Sequence, residues 1–273
     1  MWLDKYCILC LVNSRVKDLI DLGYSNKVPE MLRKLAEILE QGYARSRAFA
    51  EAFNYVKVLT SSKDPYSEVK KRLKNVGKRV ARIVEERLRS VNWDVREALR
   101  YSAAANIIID TSVLGYEAVK SLDEAIMDKP VIEEGIEMLN RYRDVYIAID
   151  NAGETEIDKL LAKALEFHGY KVTIVVREEA YEIDETIESF EAEGFKVIST
   201  PGNLPPVALL SNGFVIAKGI ANVEAYLERE DNALQTLHLF RAKCDVLAKK
   251  LKVPKNSVVI VSGNYLKSLL SVL

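Results

Sequence analysis

The chain has 273 residues, with 39 Lys or Arg against 40 Asp or Glu and a formal net charge of −1. No global positive field is therefore available to hold a nucleic-acid backbone, and phosphate recognition must come from a local site. The 12 Gly and 7 Pro argue against collagen-like or broadly disordered character, and two histidines, His168 and His238, leave a His-built zinc or iron site nearly excluded, so a metal would rest on carboxylates, Asn or Cys and be a hard cation.

The opening segment, Met1 to Val12, joins a short apolar stretch to an acidic residue and lacks a small-residue cleavage site. It reads as an amphipathic helix of a cytoplasmic protein. No apolar run approaches the roughly 18 residues that span a bilayer, so no membrane partner is expected. Only Gln41 and Gln235 stand against many Lys and Glu, a thermophilic composition. Cys7 and Cys10 fall three apart on one helical face and could pair with each other; with Cys244 they are too few for a disulfide framework, and without nearby His they do not complete a structural zinc site. His168 and His238 read as core or surface residues.

Residues from about 3 to 140 read almost entirely as helix. Pro29 opens a segment in which Met31, Leu32, Leu35, Ile38 and Leu39 share one face. Val69, Leu73, Val76, Val80, Ile83, Val84 and Leu88 form a second stripe, flanked by Lys70, Lys71, Arg72, Lys74, Lys78, Arg79 and Arg82. That basic amphipathic helix is expected to present a solvated face balanced by acidic residues, with contact to an anionic ligand as the alternative.

From about residue 144 the pattern changes to β-branched runs: Val145 to Ile149, Val172 to Val176, Val197 to Ser199, Phe214 to Ala217 and Val258 to Val261. Helical segments such as Ile157 to Phe167 and Val223 to Leu227 lie between them. Leu234 to Phe240 is expected as a further strand, followed by a helix from about Asp245 to Leu251. The alternation predicts an α/β fold: a helical N-terminal portion, residues 1–143, packed on a Rossmann-like, mostly parallel three-layer sheet domain, residues 144–273.

In such sheets ligands bind beyond the carboxyl ends of the strands, so polar residues directly after apolar runs are the first candidates. Asp150-Asn151-Ala152-Gly153-Glu154 follows the first run, with Asp158 one helical turn beyond Glu154; two oxygen ligands and a Gly suit a hard cation or a phosphate, whereas the plainer reading is a helix cap. Lys218-Gly219-Ile220-Ala221-Asn222 follows Phe214 to Ala217 and can set an ammonium and free amides around a phosphate, or form an ordinary turn. Neither a P-loop nor a Rossmann glycine fingerprint is present. Asp184 follows the second run and Arg177, and also has a helix-cap explanation.

Taken together, these segments resemble the DUF89 family, the metal-dependent damage-control phosphatases. The resemblance is carried by Asp150-Asn151-Ala152-Gly153-Glu154 with Asp158, Val-Val-Arg ending at Arg177, Asp184 with Thr186, Lys218-Gly219 with Asn222 and Glu224, and Lys243-Cys244, in order. It extends to Cys7-Ile8-Leu9-Cys10, which looks like the Cys-x-x-Cys of the mainly prokaryotic branch, and to Asp64-Pro65-Tyr66. It implies one divalent metal, magnesium, manganese, cobalt or nickel, on Asp150, Asn151 and Asp184. Lys218 becomes the phosphate contact, with Asn222 and Glu154 close by, and Asp150 and Lys218 become the catalytic pair. The implied activity is hydrolysis of small phosphomonoesters, sugar phosphates or damaged phosphometabolites, with a small phosphorylated metabolite as the partner.

The sequence departs from the family pattern at Ile183, where Asn is usual before the third ligand, and at Gly213, where Asp usually opens the strand leading to Lys-Gly. Ala105-Asn106-Ile107-Ile108-Ile109-Asp110 resembles the family's Gly-Asn-x-Ile-Asp with one extra residue, which makes Asn106 and Asp110 cleft candidates. The competing functions are a degenerate phosphate- or metal-binding module without turnover and an S-adenosylmethionine-dependent carboxyl methyltransferase. The sequence leaves the substrate, native metal, attacking group and oligomeric state open.

Overall fold

The computed structural model describes residues 4–107, 122–231 and 234–270. Five helices come first: α1 (Cys7–Asp21), α2 (Val28–Glu40), α3 (Arg45–Thr60), α4 (Ser67–Ser90) and α5 (Val95–Ala104). Pro29 lies in the first turn of α2, where a missing N–H costs no intrahelical bond. Asp94 caps α5 by accepting from the Glu97 N–H at 2.9 Å. A single turn, α6 (Leu122–Ala125), precedes β1 (Ile132–Glu133).

The alternating part follows as β2 (Asp144–Ala148), α7 (Thr155–Phe167), β3 (Lys171–Arg177), β4 (Val197–Thr200), β5 (Gly213–Lys218), α8 (Gly219–Leu227), β6 (Leu234–Arg241), α9 (Asp245–Leu251), β7 (Val258–Ser262) and α10 (Gly263–Leu270). The seven strands stand in the order β1-β7-β6-β5-β2-β3-β4. Neighbours are parallel except β6 and β7, which run antiparallel. β5 and β7 are buried almost end to end, as strands covered on both faces must be, whereas β1 and β4 at the edges are short and half exposed.

Two expectations change in the structure. The segment before residue 140 is not wholly helical, because β1 adds to the sheet through Val131 N–H to Val258 O and Glu134 N–H to Ile260 O, both 2.9 Å. Two residues are too short for an alternation to register in the sequence. The crossover helix expected from Val223 begins at Gly219, directly where β5 ends.

One sheet face packs Ile147, Ile174, Phe214, Ile216, Leu239 and Ile260 against α4, α5 and α7, with Val84, Leu88, Leu99 and Leu161 in the same core. The other face carries Phe240, Val259 and Val261 under α8, α9 and α10. Helices α1, α2 and α3 enclose a second core that also takes in Tyr66, Leu73, Tyr181 and Ile183. Tyr181 and Ile183 belong to the connection between β3 and β4, which contains no helix. The N-terminal helices thereby anchor a loop of the sheet.

On α4, Lys70 pairs with Asp64 at 2.8 Å, Lys74 with Glu185 at 3.1 Å and Lys78 with Glu191 at 2.8 Å. These three are met by carboxylates, as expected, but Lys70 and Lys74 are buried against the rest of the protein, so the face is not wholly solvated. All three cysteines are free thiols, Cys7 buried and Cys10 exposed. His238 is buried, and the His168 ring nitrogen meets the Trp93 carbonyl at 3.1 Å. No described helix is long and apolar enough to cross a membrane.

Candidate functional site

The chain builds outward from β2 to β3 and β4, then returns to place β5 and β6 on the other side of β2. The boundary between β2 and β5 is therefore a topological switch point, where consecutive connections leave to opposite sides and open a crevice beyond the strand ends. Asp150 follows β2 and Lys218-Gly219 closes β5, so two of the three sequence candidates meet there. The third arrives from β3: Asn151 and Asp184 form an isolated antiparallel bridge. Ala152 N–H donates to Ile183 O at 3.0 Å and Glu185 N–H to Asp150 O at 2.9 Å. These backbone bonds stitch the Asp184 loop to the Asp150 loop.

The cap explanations for these acids do not describe the structure. Glu154, not Asp150 or Asn151, stands at the N-cap of α7 and makes no side-chain cap bond, while no helix follows Asp184. Asn151 instead directs its Nδ2 to Asp150 Oδ2 at 3.1 Å and Glu154 Oε1 at 2.6 Å, keeping its Oδ1 outside that pairing. Asn106, just beyond α5, does the same from the opposite side, reaching Glu154 Oε1 at 2.7 Å and Asp150 Oδ2 at 3.4 Å. Asp110 lies outside the described residues.

Two cations sit behind these carboxylates. Arg177, at the end of β3, holds Asp184 Oδ2 through Nε at 2.7 Å and a terminal nitrogen at 2.5 Å. Lys218 is fully buried, 2.8 Å from Glu154 and 2.9 Å from Asp158, and donates to the Ser102 hydroxyl at 3.0 Å and to the Ser102 carbonyl. The same Ser102 hydroxyl donates to Asp158 at 2.6 Å. Asn222 uses both ends of its amide on the backbone, donating to Lys218 O at 2.8 Å and accepting from Val207 N–H at 3.2 Å. It holds the strand end that carries Lys218 and does not meet the carboxylates.

Close packing fixes the loops. Gly219 adopts φ +73°, and a Cβ there would fall 1.8 Å from Asp150 Oδ2. On α4, a Cβ at Gly77 would fall 2.2 Å from the Gly153 carbonyl oxygen, so this helix rests directly on the Asp150-to-Glu154 turn.

Burial raises the proton affinity of Asp150 well above that of an ordinary carboxyl, and the charges of Asp184 and Glu154 raise it further against Arg177 and Lys243. Burial also raises Asp184, opposed by Arg177. For Glu154 the burial penalty is outweighed by Lys218 and Lys243, and its pKa falls. Asp158 is pushed up to about 6 by burial in spite of Lys218. Lys243 is lowered to about 8 by burial, although Glu154 and Asp150 favour its charge. In the sequence Asp158, Arg177 and Lys243 stand only as parts of the family motifs, without a role in the site, and Ser102 on α5 carries no signal at all. Arg177 at the end of β3, Lys243 just after β6 and Asp158 on α7 lie where a crevice residue is expected, but their convergence belongs to the sheet.

Among the described residues no three His, Cys, Asp or Glu side chains converge as a ready-made metal cluster. The set here is two carboxylates and an amide oxygen, the donor chemistry of a hard cation. The charge of Asp184 raises the proton affinity of the buried Asp150, a repulsion that a cation between them would relieve. The residues present fit such an ion.

A family model, the damage-control phosphatase ARMT1-like domain, matches residues 3–198. A damage-control phosphatase of Pyrococcus horikoshii, PH1575, is 28% identical over 81% of this chain and 81% of its own length. A damage-control phosphatase of Archaeoglobus fulgidus is 28% identical over 86% of this chain and 88% of its own. The crystal structure of PH1575, described as a DUF89 family protein, superposes with a TM-score of 0.72 at 24% identity, covering 94% of this chain and 97% of that one, and so shares the fold. The matched span takes in Asp150, Asn151 and Asp184 together with the helices that hold them. This chain belongs to the ARMT1-like, or DUF89, family of damage-control phosphatases.

Proposed function

We propose that the protein is a divalent-metal-dependent phosphatase acting on small phosphomonoesters, sugar phosphates or damaged phosphometabolites. The observation that carries this reading is the pairing of Asp150 and Asp184, two buried carboxylates from different loops joined by the Asn151 bridge at the switch point of the sheet. Membership of the phosphatase family supports the reaction class.

In this reading Asp150, Asn151 and Asp184 hold the ion, magnesium, manganese, cobalt or nickel. When bound, such an ion neutralises phosphoryl oxygens and makes phosphorus more electrophilic. Arg177 orients Asp184, and Asn106 orients Asp150 and Glu154. Lys218, the proposed phosphate contact, has its ammonium held between Glu154 and Asp158, and Lys243 adds positive charge that Asp150 and Glu154 favour. Glu154 keeps Lys218 ionised through their 2.8 Å contact, and Asn222 fixes its backbone.

The test is hydrolysis of an aryl phosphate by metal-stripped protein, with magnesium, manganese, cobalt or nickel restored singly, beside Asp150→Ala and Asp184→Asn. Activity that returns with an added ion and disappears in both variants, each still folded by circular dichroism, is the expected result. Metal-independent turnover, or unchanged turnover in Asp150→Ala, rejects it. Silence across a panel of phosphate esters points to the binding module without turnover.

A further inference from the structure

The turn that delivers Asp184 is held from the helical half of the chain. Asp184 N–H donates to Tyr181 O at 2.9 Å, so Tyr181 to Asp184 form one turn with Glu182 and Ile183 at its centre. Glu182 adopts φ +43°, a left-handed conformation that residues other than Gly, Asn and Asp seldom take. Such a conformation persists only where the surroundings impose it. Arg15 of α1 supplies that constraint, because a terminal nitrogen of its guanidinium holds the Glu182 carboxylate.

Arg15 is itself fixed. It is fully buried, its Nε lies 3.1 Å from Asp18 Oδ2, and its guanidinium lies over the Phe53 ring at 5.1 Å. The other oxygen of Asp18 accepts from the Tyr66 hydroxyl at 2.6 Å. Tyr66 is buried against Phe53, and its backbone N–H donates to Asp64 Oδ1 at 3.1 Å. The Asp64-Pro65-Tyr66 segment thus starts a continuous line, Tyr66 to Asp18 to Arg15 to Glu182, that ends two residues before Asp184. A second path runs beside it: the Tyr181 ring meets Arg15 at 5.7 Å and Arg177 at 4.6 Å, and Arg177 holds Asp184 Oδ2 at 2.7 Å. Ile183, between Glu182 and Asp184, is buried in the core that α1, α2 and α3 enclose.

We propose that Arg15 and Glu182 are positioning residues for the ion: they clamp the turn from Tyr181 to Asp184 so that the Asp184 carboxylate is preset at the Asp150 loop, and affinity for a divalent cation depends on this contact between α1 and the β3–β4 connection. The assignment rests on the metal reading of Asp150, Asn151 and Asp184 above. Preset ligands hold an ion more tightly because their ordering is completed on folding, and groups that orient a ligand change metal affinity by about 10–100-fold.

The experiment measures binding of Mn²⁺ alone to the full chain, by loss of the free-ion paramagnetic resonance signal, with circular dichroism and Tm recorded for each variant. Glu182→Ala removes the carboxylate that Arg15 holds and should weaken Mn²⁺ by about tenfold or more. Glu182→Gln loses the charge but keeps an oxygen for the guanidinium, and should stay within about threefold of the wild type. Tyr66→Phe loses only the hydroxyl bond to Asp18; it should weaken the ion about threefold and decides the matter if Glu182→Ala does not fold. Leu35→Ala opens a cavity in the same core from α2, which carries no member of the line, and should lower Tm without moving the affinity. Wild-type affinity in folded Glu182→Ala, or in Tyr66→Phe where Glu182→Ala is unfolded, overturns the proposal. Equal losses in Glu182→Ala and Glu182→Gln also overturn it, since charge alone then sets the affinity, as does an equal loss in Leu35→Ala, since stability then sets it. Asp184→Asn tests the metal reading separately. If the wild type takes up Mn²⁺ and Asp184→Asn does not, while Glu182→Ala binds as the wild type does, the metal reading stands and the positioning role falls; if the wild type takes up none, both fall.

Discussion

Replacing Gly219 by Ala tests whether the turn after β5 is what holds Asp150 in place. Two costs combine there. The first is conformational: φ is +73°, where an L-residue is strained by about 1–2 kcal/mol, partly offset by the lower entropy of the unfolded Ala chain. The second is steric, since the new Cβ would sit 1.8 Å from Asp150 Oδ2 and 2.3 Å from its Cγ. The carboxylate must move by more than an ångström, away from the amides of Asn106 and Asn151, and losing buried hydrogen bonds costs about 1–3 kcal/mol. The expected total is about 2–5 kcal/mol, or roughly 3–9 °C in Tm for a chain of this length. Gly169→Ala is the control, because its φ is +84° but nothing lies within 4 Å of the added Cβ. It should lose only about 1 kcal/mol. In the metal-restored aryl phosphate assay, Gly169→Ala should keep wild-type turnover, whereas Gly219→Ala should fall by about 100-fold, the usual effect of an ångström's misplacement. Equal Tm losses in the two variants, with turnover of Gly219→Ala within about twofold of the wild type, would refute the reasoning.

Three further outcomes follow from the same geometry. Gly77→Ala, inside α4, should destabilise by about 1–3 kcal/mol although Ala is the better helix former, because its Cβ meets the Gly153 carbonyl 2.2 Å away; a rise in the urea midpoint would contradict the packing. His238 is buried and its pKa is lowered by burial to about 3, against about 6.5 in an unfolded chain, so the unfolded state takes up the proton first. Its contribution is intact above about pH 6.5 and is lost as pH falls towards 3, amounting to about 2 kcal/mol by pH 5; urea midpoints of His238→Gln should show a correspondingly shallower loss between pH 7 and 5. Arg15 is fully buried, 3.1 Å from Asp18 and paired with Glu182 beside the Asp184 loop. Arg15→Met leaves both carboxylates uncompensated and should cost about 3–5 kcal/mol by denaturant unfolding; a loss below about 1 kcal/mol would show that the network is not structural.

Much of this protein is legible in its residues taken one stretch at a time. The β-branched runs mark β2, β3, β5 and β7 within a residue or two, because strands covered on both faces must be apolar throughout. The strand ends mark Asp150, Lys218 and the Asp184 connection, because crevices of parallel sheets lie beyond those ends. The sequence also carries the family resemblance in its short motifs. It does not carry strand order. The switch between β2 and β5 brings Asp150 beside Gly219, and the backbone bridge from Asn151 brings in Asp184, across more than thirty residues of chain. Strand direction is equally invisible in an apolar run, which is why β7 lies antiparallel to β6 without a local signal. Nor does helical periodicity tell which partner a buried side chain meets: Ser102 and Asn106 reach Lys218 and Glu154 only because α5 lies on the face of the sheet that also carries α7. Local chemistry marks which residues are candidates; the tertiary structure decided which of them share one place, because contacts between distant segments depend on topology and not on spacing.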